Sequence, residues 1–581
     1  VSKGKATGLG PSAWQKQAIA ELCAIAAKNP ESLEVIGPQP TLTDTHALIT
    51  IRLPTKNLRA EPGGLRLRDQ EDFIIRIPQS FLVPPQVDVG HPRFAGHAHV
   101  LQGRRLCIYL DPAREWDPLG GMSAFLERLW AWLADAAAGR FNAATAMYHA
   151  VGGVLHQTDG TPTIVIREAI PNKSFQRAYL LPRTAHRCDL TFTSSPTSGA
   201  AVPVLTLTSD LPFGAGVTIA ELLDLMDHPH SYGPRHHTGL GPTPGRAFLT
   251  SLATSAIRNA DETQQYFTLA VPHPSGGPTH LLVGRLPISM SDKLRERARS
   301  HGPIIDIDPA KLGEDIAIEW CNVSDERAEV TTRRDEQRPV GAFQGKTVHL
   351  WGCGGLGSWI AEFVTRAGAA RISICDPGRV TGGLLVRQDY IEEDIGQNKA
   401  LALATRLRAI SDRVEVTAFS GALPDNIEDA LNSDVLIDAT VSIAVAQALA
   451  AFAADKPRHP LLAQVATDTR TGTLGILTVS APHDTRALVA IDQRAGDVVL
   501  GDAALELYQS LWQEPLEGHE LTPTRGCSVP TFHGSAADLA AVAACLVNLL
   551  AMHLSSPASG THLIALPYAG GSAPHHHFIA A

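Results

Sequence analysis

The residues whose types and spacing point most directly to chemistry lie between Lys346 and Ala400. The turn Gly352-Cys353-Gly354-Gly355-Leu356-Gly357 spaces three glycines so that the first permits a tight turn, the second lets a phosphate approach the backbone, and the third lets a following helix pack closely. Asp376 stands about twenty residues past the last glycine, where a carboxylate accepts hydrogen bonds from a ribose. Such a turn alone marks only a nucleotide site, and a nicotinamide-dependent oxidoreductase uses it equally well. Arg387 and Gln388, then Lys399, and then Asp438 inside the apolar run Asp434 to Thr440 change the reading. Hydride transfer has no use for these cations. An enzyme that adenylates a carboxylate does, because it must neutralise the triphosphate of ATP, hold Mg2+ on a carboxylate, and stabilise charge building at the α-phosphate.

Two cysteines are candidate nucleophiles. Cys107 lies in Arg105-Leu106-Cys107-Ile108-Tyr109, and Arg104 and Arg105 beside it are expected to favour a thiolate; the same pattern also suits a buried strand residue. Cys527 lies in Gly526-Cys527-Ser528-Val529-Pro530-Thr531-Phe532, within a turn-rich stretch from Glu514 to Gly534 and next to Arg525, where core packing explains it poorly. Cys353 and Cys375 read as structural.

These residues need elements to hold them. Thr347 to Trp351 reads as a strand entering the glycine turn, with a helix from Ser358 and a second strand from Arg371 to Cys375. Beyond Asp438 the pattern predicts a helix over 442–454, strands over 461–466 and 475–479, and a long apolar helix over 535–554. Near the N-terminus a helix over 11–28 is followed by strands over 33–36, 46–53 and 72–77, a proline-rich corner around Pro84-Pro85, the tripeptide His91-Pro92-Arg93, Cys107, and a helix over 122–138.

From Arg333 onward the chain resembles the ThiF/MoeB-type adenylation domain of ubiquitin-activating enzymes, on the glycine turn, Asp376, Arg387, Lys399 and Asp438. The resemblance implies ATP and Mg2+ as cofactors, with Gly352, Gly354 and Gly357 on the phosphates, Asp376 on the ribose, Arg387 and Lys399 on phosphates, and Asp438 on Mg2+. Leu384 and Val441 depart from it, standing where that family usually has Asn and Asp. Arg333 or Arg334 would reach the ATP of a second subunit, which makes the enzyme a two-fold homodimer. Residues from Pro11 to Phe141 resemble a ubiquitin-conjugating domain with Cys107 as its thioester cysteine. Arg93 there replaces an oxyanion-stabilising Asn, and His97 and His99 either donate instead or are solvated loop histidines. Cys527 corresponds to the cysteine that attacks an acyl-adenylate.

The fold class that follows is α/β and multidomain: a ubiquitin-conjugating-like α+β domain over 1–147, a mixed α/β linker domain over 148–325, and a Rossmann-like ThiF-type domain over 326–581. This order is similar to bacterial fusions associated with CBASS antiphage operons. It implies a partner protein with a free C-terminal carboxylate, either a cGAS/DncV-like nucleotidyltransferase or a ubiquitin-like protein, and target lysines as acceptors. A catalytically inactive conjugating scaffold is the further alternative.

Composition narrows the class. A length of 581 residues exceeds one hydrophobic core. The net charge of -10 argues against a general nucleic-acid binder. The N-terminus shows no signal-type apolar segment and no run of charge-free apolar residues suggests a membrane span, so a cytoplasmic location is expected. Eight cysteines without a CxxC pair argue against a disulfide framework or a zinc knuckle. His228, His230, His236 and His237 read as loop residues, His575 to His577 as a mobile tail, and Glu326 to Arg338 as a solvated charged run.

Overall fold

Ser12 starts the first helix by accepting from the amide of Gln15, while the Gln15 side chain accepts from Ser12 N–H, a reciprocal cap. That helix, α1 (Ala13–Lys28), lays Trp14, Ala18 and Leu22 onto a core. The computed structural model describes residues 10–94, 97–101, 105–141, 158–171, 173–193, 199–208, 211, 218–227, 243–272, 278–300, 317–331, 333, 335–421, 430–440, 442–454, 460–513, 534–571 and 575–581. They divide into two units, Val1–Thr332 and Arg333–Ala581.

In the first unit, α1 is followed by an antiparallel sheet of β1 (Glu34–Leu42), β2 (His46–Pro54), β3 (Gln70–Pro78), β4 (Gln86–Val89), β5 (Val100–Leu101) and β6 (Arg105–Leu106), in spatial order β1-β2-β3-β4-β6-β5. Buried and half-exposed residues alternate along β2, so Ala47, Ile49, Ile51 and Leu53 all face the core. The sheet ends one residue before Cys107. A short helix, α2 (Pro112–Glu115), precedes α3 (Gly121–Ala137), which buries Phe125, Leu129 and Leu133 in the same core as Leu22 and Phe73.

A second sheet in this unit mixes parallel and antiparallel pairs over eight strands, β7 (Thr163–Ile166) to β14 (Val323–Asp325). Within the linker region the apolar runs predict strands over 163–170, 178–181, 202–208 and 280–286 and a helix over 219–226, and all are present within a few residues. Not foreseen were helices at Pro244–Ala256 and Ile288–Ser300 and strands at Arg187–Thr191 and Gln265–Val271. The loop histidines 228, 230, 236 and 237 lie outside the described residues.

The second unit carries an eight-stranded sheet: β15 (Thr347–Trp351), β16 (Arg371–Cys375), β17 (Glu415–Phe419), β18 (Val435–Asp438), β19 (Leu461–Thr467), β20 (Leu474–Ser480), β21 (Gly560–Ala565) and β22 (His576–Ala580). The order is β17-β16-β15-β18-β19-β20-β21-β22, parallel as far as β19 and antiparallel beyond it. Strand order reverses at β15, since β16 and β18 flank it on opposite sides. Crevices at such points, outside the carboxyl ends of the strands, are where open α/β sheets bind ligands. Helices α4 (Gly355–Arg366), α5 (Lys399–Ile410), α6 (Ile443–Ala454), α7 (Leu488–Gly501) and α8 (Ala536–Ser555) accompany this sheet.

Three expectations are corrected. Helix α8 is long and apolar enough to cross a membrane, contrary to the reading that no such run exists. Its Leu539, Val542, Leu546 and Leu550 are buried with Ile360 of α4 and Val479 of β20, and each such side chain contributes about 1.5–3 kcal/mol by leaving water, so it serves as a core helix here. The terminal histidines are no tail: His576 opens β22 and its ring bonds His562. In the charged run, Arg327 is 1% exposed, held by Asp325, Glu329 and the carbonyl of Thr279, so it is a buried anchor.

Candidate active site

The register of the second unit's sheet assembles one group of predicted residues. Trp351 at the end of β15 pairs with Cys375 on one side and Asp438 on the other, so Gly352, Asp376 and Asp438 leave neighbouring strands side by side. Gly352 has φ +88°, and a Cβ there would sit 2.7 Å from the carbonyl oxygen of Ala439, so only glycine makes this turn. A Cβ on Gly357 would meet Gly352 O at 1.8 Å, which is the close packing the third glycine was expected to permit. A Cβ on Gly354 meets nothing within 4 Å. Space therefore opens in front of the second glycine, at the start of α4, where no side chain caps the helix amides. That arrangement suits an anion.

Asp376 braces this turn. Its carboxylate accepts from the amides of Cys353 and Gly378, each at 2.7 Å. Asn398 caps α5 and donates through Nδ2 to the carbonyls of Asp376 and Gly378, placing Lys399 at the first helical position. The Lys399 stem crosses Gly378: a Cβ there would lie 3.5 Å from Lys399 Cδ. Tyr390 Oη donates to Cys353 O at 2.8 Å and to Lys399 O at 3.3 Å, tying the glycine turn to the lysine. Gly354, Asp376 and Lys399 thus share one locality.

Asp438 is fully buried. Thr440 donates to its Oδ1 through both amide and hydroxyl, at 2.9 and 2.6 Å, and Gln464 reaches Oδ2 at 3.5 Å. Burial pushes its carboxyl above the ordinary value, opposed by those bonds. A divalent cation would offset that desolvation, so the residues fit Mg2+ on chemistry, while among the described residues no group of three potential ligands is gathered. Arg387 follows a 3-10 turn, Gly382–Leu384, and its carbonyl accepts from Trp359 Nε1 of α4 at 3.3 Å. Leu384 is packed inward at 5% exposure. Arg333 is paired with Asp335 and donates to the carbonyl of Arg366 at 2.7 Å, so here it stays within its own unit. Arg334, Val441 and Cys527 lie outside the described residues. Cys353 and Cys375 are buried, as structural cysteines should be.

In the first unit, Cys107 is half-buried just past β6. Its amide donates to His99 O at 2.8 Å and its thiol to Tyr109 O at 3.4 Å. Burial, with Glu115, pushes the thiol up, and Arg128 opposes this. The expectation that Arg105 favours a thiolate is therefore corrected: Arg105 is spent on Asp88 at 2.9 Å, and Arg104 lies outside the described residues. Arg128 is the cation beside Cys107, donating to Ile108 O and paired with Glu115 at 3.1 Å. Arg93 forks onto Glu71, which also accepts from the amide of Arg68 at 2.7 Å. These bonds outweigh burial and hold Glu71 below its usual range. His99 takes a positive φ of 63°, and its ring packs edge-on against Phe141 at 4.7 Å. Burial lowers both His97 and His99, leaving them neutral donors near pH 7.

Sequence reasoning missed Arg128, Asn398, Thr440 and Gln464. Asn398 and Thr440 lie in the stretches that carry Lys399 and Asp438 without being singled out there, whereas Arg128 and Gln464 are brought near Cys107 and Asp438 only by the fold.

Residues 342–565 match the model of the ThiF family, residues 189–326 that of the Cap2 central linker domain, and residues 29–151 that of prokaryotic E2 family A. Among curated proteins, the chain is 34% identical over 139 residues to the ATP-dependent ubiquitin transferase-like protein Cap2 of Enterobacter hormaechei subsp. hoffmannii (strain UCI 50), covering 23% of each chain. It is 29% identical over 126 residues to the tRNA threonylcarbamoyladenosine dehydratase of Escherichia coli (strain K12), covering 21% of this chain and 47% of that one. The matches thus span under half of these relatives' own lengths. Among solved structures, E. coli MccB with ATP aligns over 42% of this chain and 66% of that one, at 13% identity and a TM-score of 0.30. The chain is a fusion of an E2-like domain, a Cap2-type linker domain and a ThiF-family domain.

Proposed function

We propose that this chain activates the C-terminal carboxylate of a partner protein at the expense of ATP and conjugates it to a lysine through two successive thioesters. A carboxylate oxygen of the partner attacks the α-phosphorus and pyrophosphate leaves. The Cys527 thiolate then attacks the acyl carbon and AMP leaves. Cys107 takes the acyl group, freeing Cys527, and a lysine amine attacks that thioester, loses its proton and frees Cys107. The observation that carries this reading is the convergence of Gly354, Asp376, Lys399 and Asp438 at the carboxyl ends of β15, β16 and β18. Arg387 and Lys399 are assigned to the phosphates and Asp438 to Mg2+, which when bound would supply charge neutralisation at the phosphate oxygens. Gly352, Gly354 and Gly357 shape the turn, and Asp376 is assigned to the ribose.

For Cys527 the support is its attachment. Ala536 N–H donates to Val386 O at 2.7 Å, next to Arg387, and nine residues of chain reach at most about 30 Å. For Cys107 it is a half-buried thiol beside Arg128 in the E2-like domain. Domain limits of 1–147, 148–325 and 326–581 accompany the proposal, as does a homodimer in which Arg334 serves the second subunit. A reaction that spends ATP and runs on free thiols belongs to the reducing cytoplasm. The linker and the Cap2 relative support the fusion architecture, and on the resemblance of that architecture to CBASS-associated fusions the partner we infer is a cGAS/DncV-like nucleotidyltransferase, in antiphage defence, ahead of a ubiquitin-like protein. A conjugating half without activity is the competing reading, favoured by one observation: Arg93 is held on Glu71.

Pyrophosphate exchange with a carboxylate-bearing partner tests the scheme. Asp438→Ala should abolish exchange, and Cys527→Ala should keep exchange while losing the reductant-sensitive adduct. Conjugation by Cys107→Ala at the wild-type rate would hand the case to the inactive reading.

A further inference from the structure

One cleft near Cys107 has no part in the scheme above. It encloses about 420 Å³ and is lined by Gly64, Arg66, Leu67, Arg68, Arg93 and His97. Its wall is firmly built. A Cβ on Gly64 would sit 1.9 Å from Ala137 O, so this loop lies directly on the end of α3, and Glu61 and Leu65 donate to Ala137 O and Ala136 O. Thr55 Oγ1 donates to Arg68 O at 2.6 Å, and Arg68 N–H donates to Glu71 at 2.7 Å. The backbone carrying both arginines is thus fixed on either side.

The charges facing the cleft are unbalanced. Arg93 is ion-paired with Glu71 through its two terminal nitrogens. Arg66 and Arg68 are exposed, and among the described residues their guanidinium groups have no hydrogen bond or ion pair. Asp69, the acid that follows them, does not line the cleft. Two guanidinium forks on a rigid backbone, unpaired among the described residues, suit carboxylates, which they bind bidentately. The location gives them an occupant. His97 is two residues from His99, whose carbonyl holds the Cys107 amide at 2.8 Å, a chain distance of at most about 7 Å.

We propose that this cleft docks an acidic segment, Glu or Asp side chains, of the protein whose carboxyl end is carried on Cys107. The role rests on the thioester reading above, but the binding does not. A polypeptide fits better than a small anion because the two free arginines lie along an open, exposed wall with no closed pocket around one phosphate.

The test uses the full-length chain and a fluorescein-labelled hexaglutamate peptide, followed by anisotropy at low salt without ATP, so failure of adenylation or of either thiol leaves the readout untouched. Expected is saturable binding that weakens steeply with salt, falls at least tenfold in Arg66→Glu/Arg68→Glu, and is unchanged by Arg114→Glu, an exposed arginine outside the cleft. A milder Arg66→Gln/Arg68→Gln pair, checked by thermal melting, guards against a folding artefact and should lose most of the affinity too. Equal binding by the wild type and both double variants would overturn the proposal. So would inorganic phosphate that binds with higher affinity than the peptide and displaces it fully, since the cleft would then be a phosphate site.

Discussion

At the scale of single residues, the three glycines separate packing from binding. Gly357→Ala drives a methyl carbon to within 1.8 Å of a backbone oxygen, which must shift the turn, whereas Gly354→Ala points into open space at φ −85°. We expect Gly357→Ala to lower the melting temperature by several degrees, a loss on the order of 2 kcal/mol or more, and Gly354→Ala to melt like the wild type while binding ATP at least tenfold more weakly. Thermal melts beside nucleotide titrations check both. Cys107 offers a second case, because its thiol is raised by burial and by Glu115 and lowered by Arg128. Removing the acid in Glu115→Gln also frees Arg128 from its ion pair, so the thiol should move down and iodoacetamide should alkylate Cys107 several-fold faster at pH 8. An unchanged rate would mean that burial alone sets its reactivity. The glycine turn, Asp376 and Asp438 were legible because each is tied to a strand end, where the local sequence carries the signal, and Lys399 because it opens a helix after a polar stretch. Arg128 was not, because a helical arginine carries no mark of the loop it turns toward.

At the scale of elements, short apolar strands and long helices were readable from periodicity, and their boundaries shifted by only a few residues. Some of the elements that escaped have faces that alternate weakly, whereas the helices Pro244–Ala256 and Ile288–Ser300 escaped despite a regular buried face. Helix α5 is rich in alanine and leucine and follows a polar stretch, and β21 is buried at every position, so it shows no alternation. The terminal histidines misled for a related reason, since three consecutive polar residues suggest solvent. In the fold, His562 on β21 bonds His553 of α8 at 2.7 Å and His576 of β22 at 2.9 Å, with Phe578 packed over the rings. Burial, with these two neighbours, takes His562 down to about 3. The sign follows from proton linkage. Below about pH 6.5 the unfolded chain takes up a proton that the folded His562 refuses, so stability is present above 6.5 and drains away as pH falls toward 3, at about 1.4 kcal/mol per pH unit. Asp389 runs the other way. Burial and Glu362 raise it to about 7, against Arg406, so the folded state holds a proton that the unfolded state releases near 4, and this contribution is lost as pH rises from 4 to 7. Urea unfolding from pH 4 to 8 should therefore show a shallower acid-side loss for His562→Asn and a shallower loss toward neutrality for Asp389→Asn.

At the scale of the molecule, the notable feature is that both proposed thiols belong to one polypeptide. If acyl transfer from Cys527 to Cys107 is the path, the tether sets the concentration of one sulfur at the other, in the millimolar range for a linker of suitable reach. Free encounter of separate proteins at micromolar concentration would be about a thousandfold slower. The consequence is a dilution law. Conjugation per mole of wild-type chain should stay constant over a hundredfold dilution, with ATP, the carboxylate donor and the lysine acceptor held saturating. A mixture of Cys107→Ala and Cys527→Ala chains must bring intact thiols together from different molecules, so its specific rate should fall with dilution unless the two variants share a stable dimer. That exception is informative as well, because a rescued mixture whose rate ignores dilution would place the transfer across the dimer that Arg334 is proposed to serve. A wild-type specific rate that falls in proportion to concentration would show that joining the two halves does nothing for transfer, and the relay within one assembly would have to be abandoned.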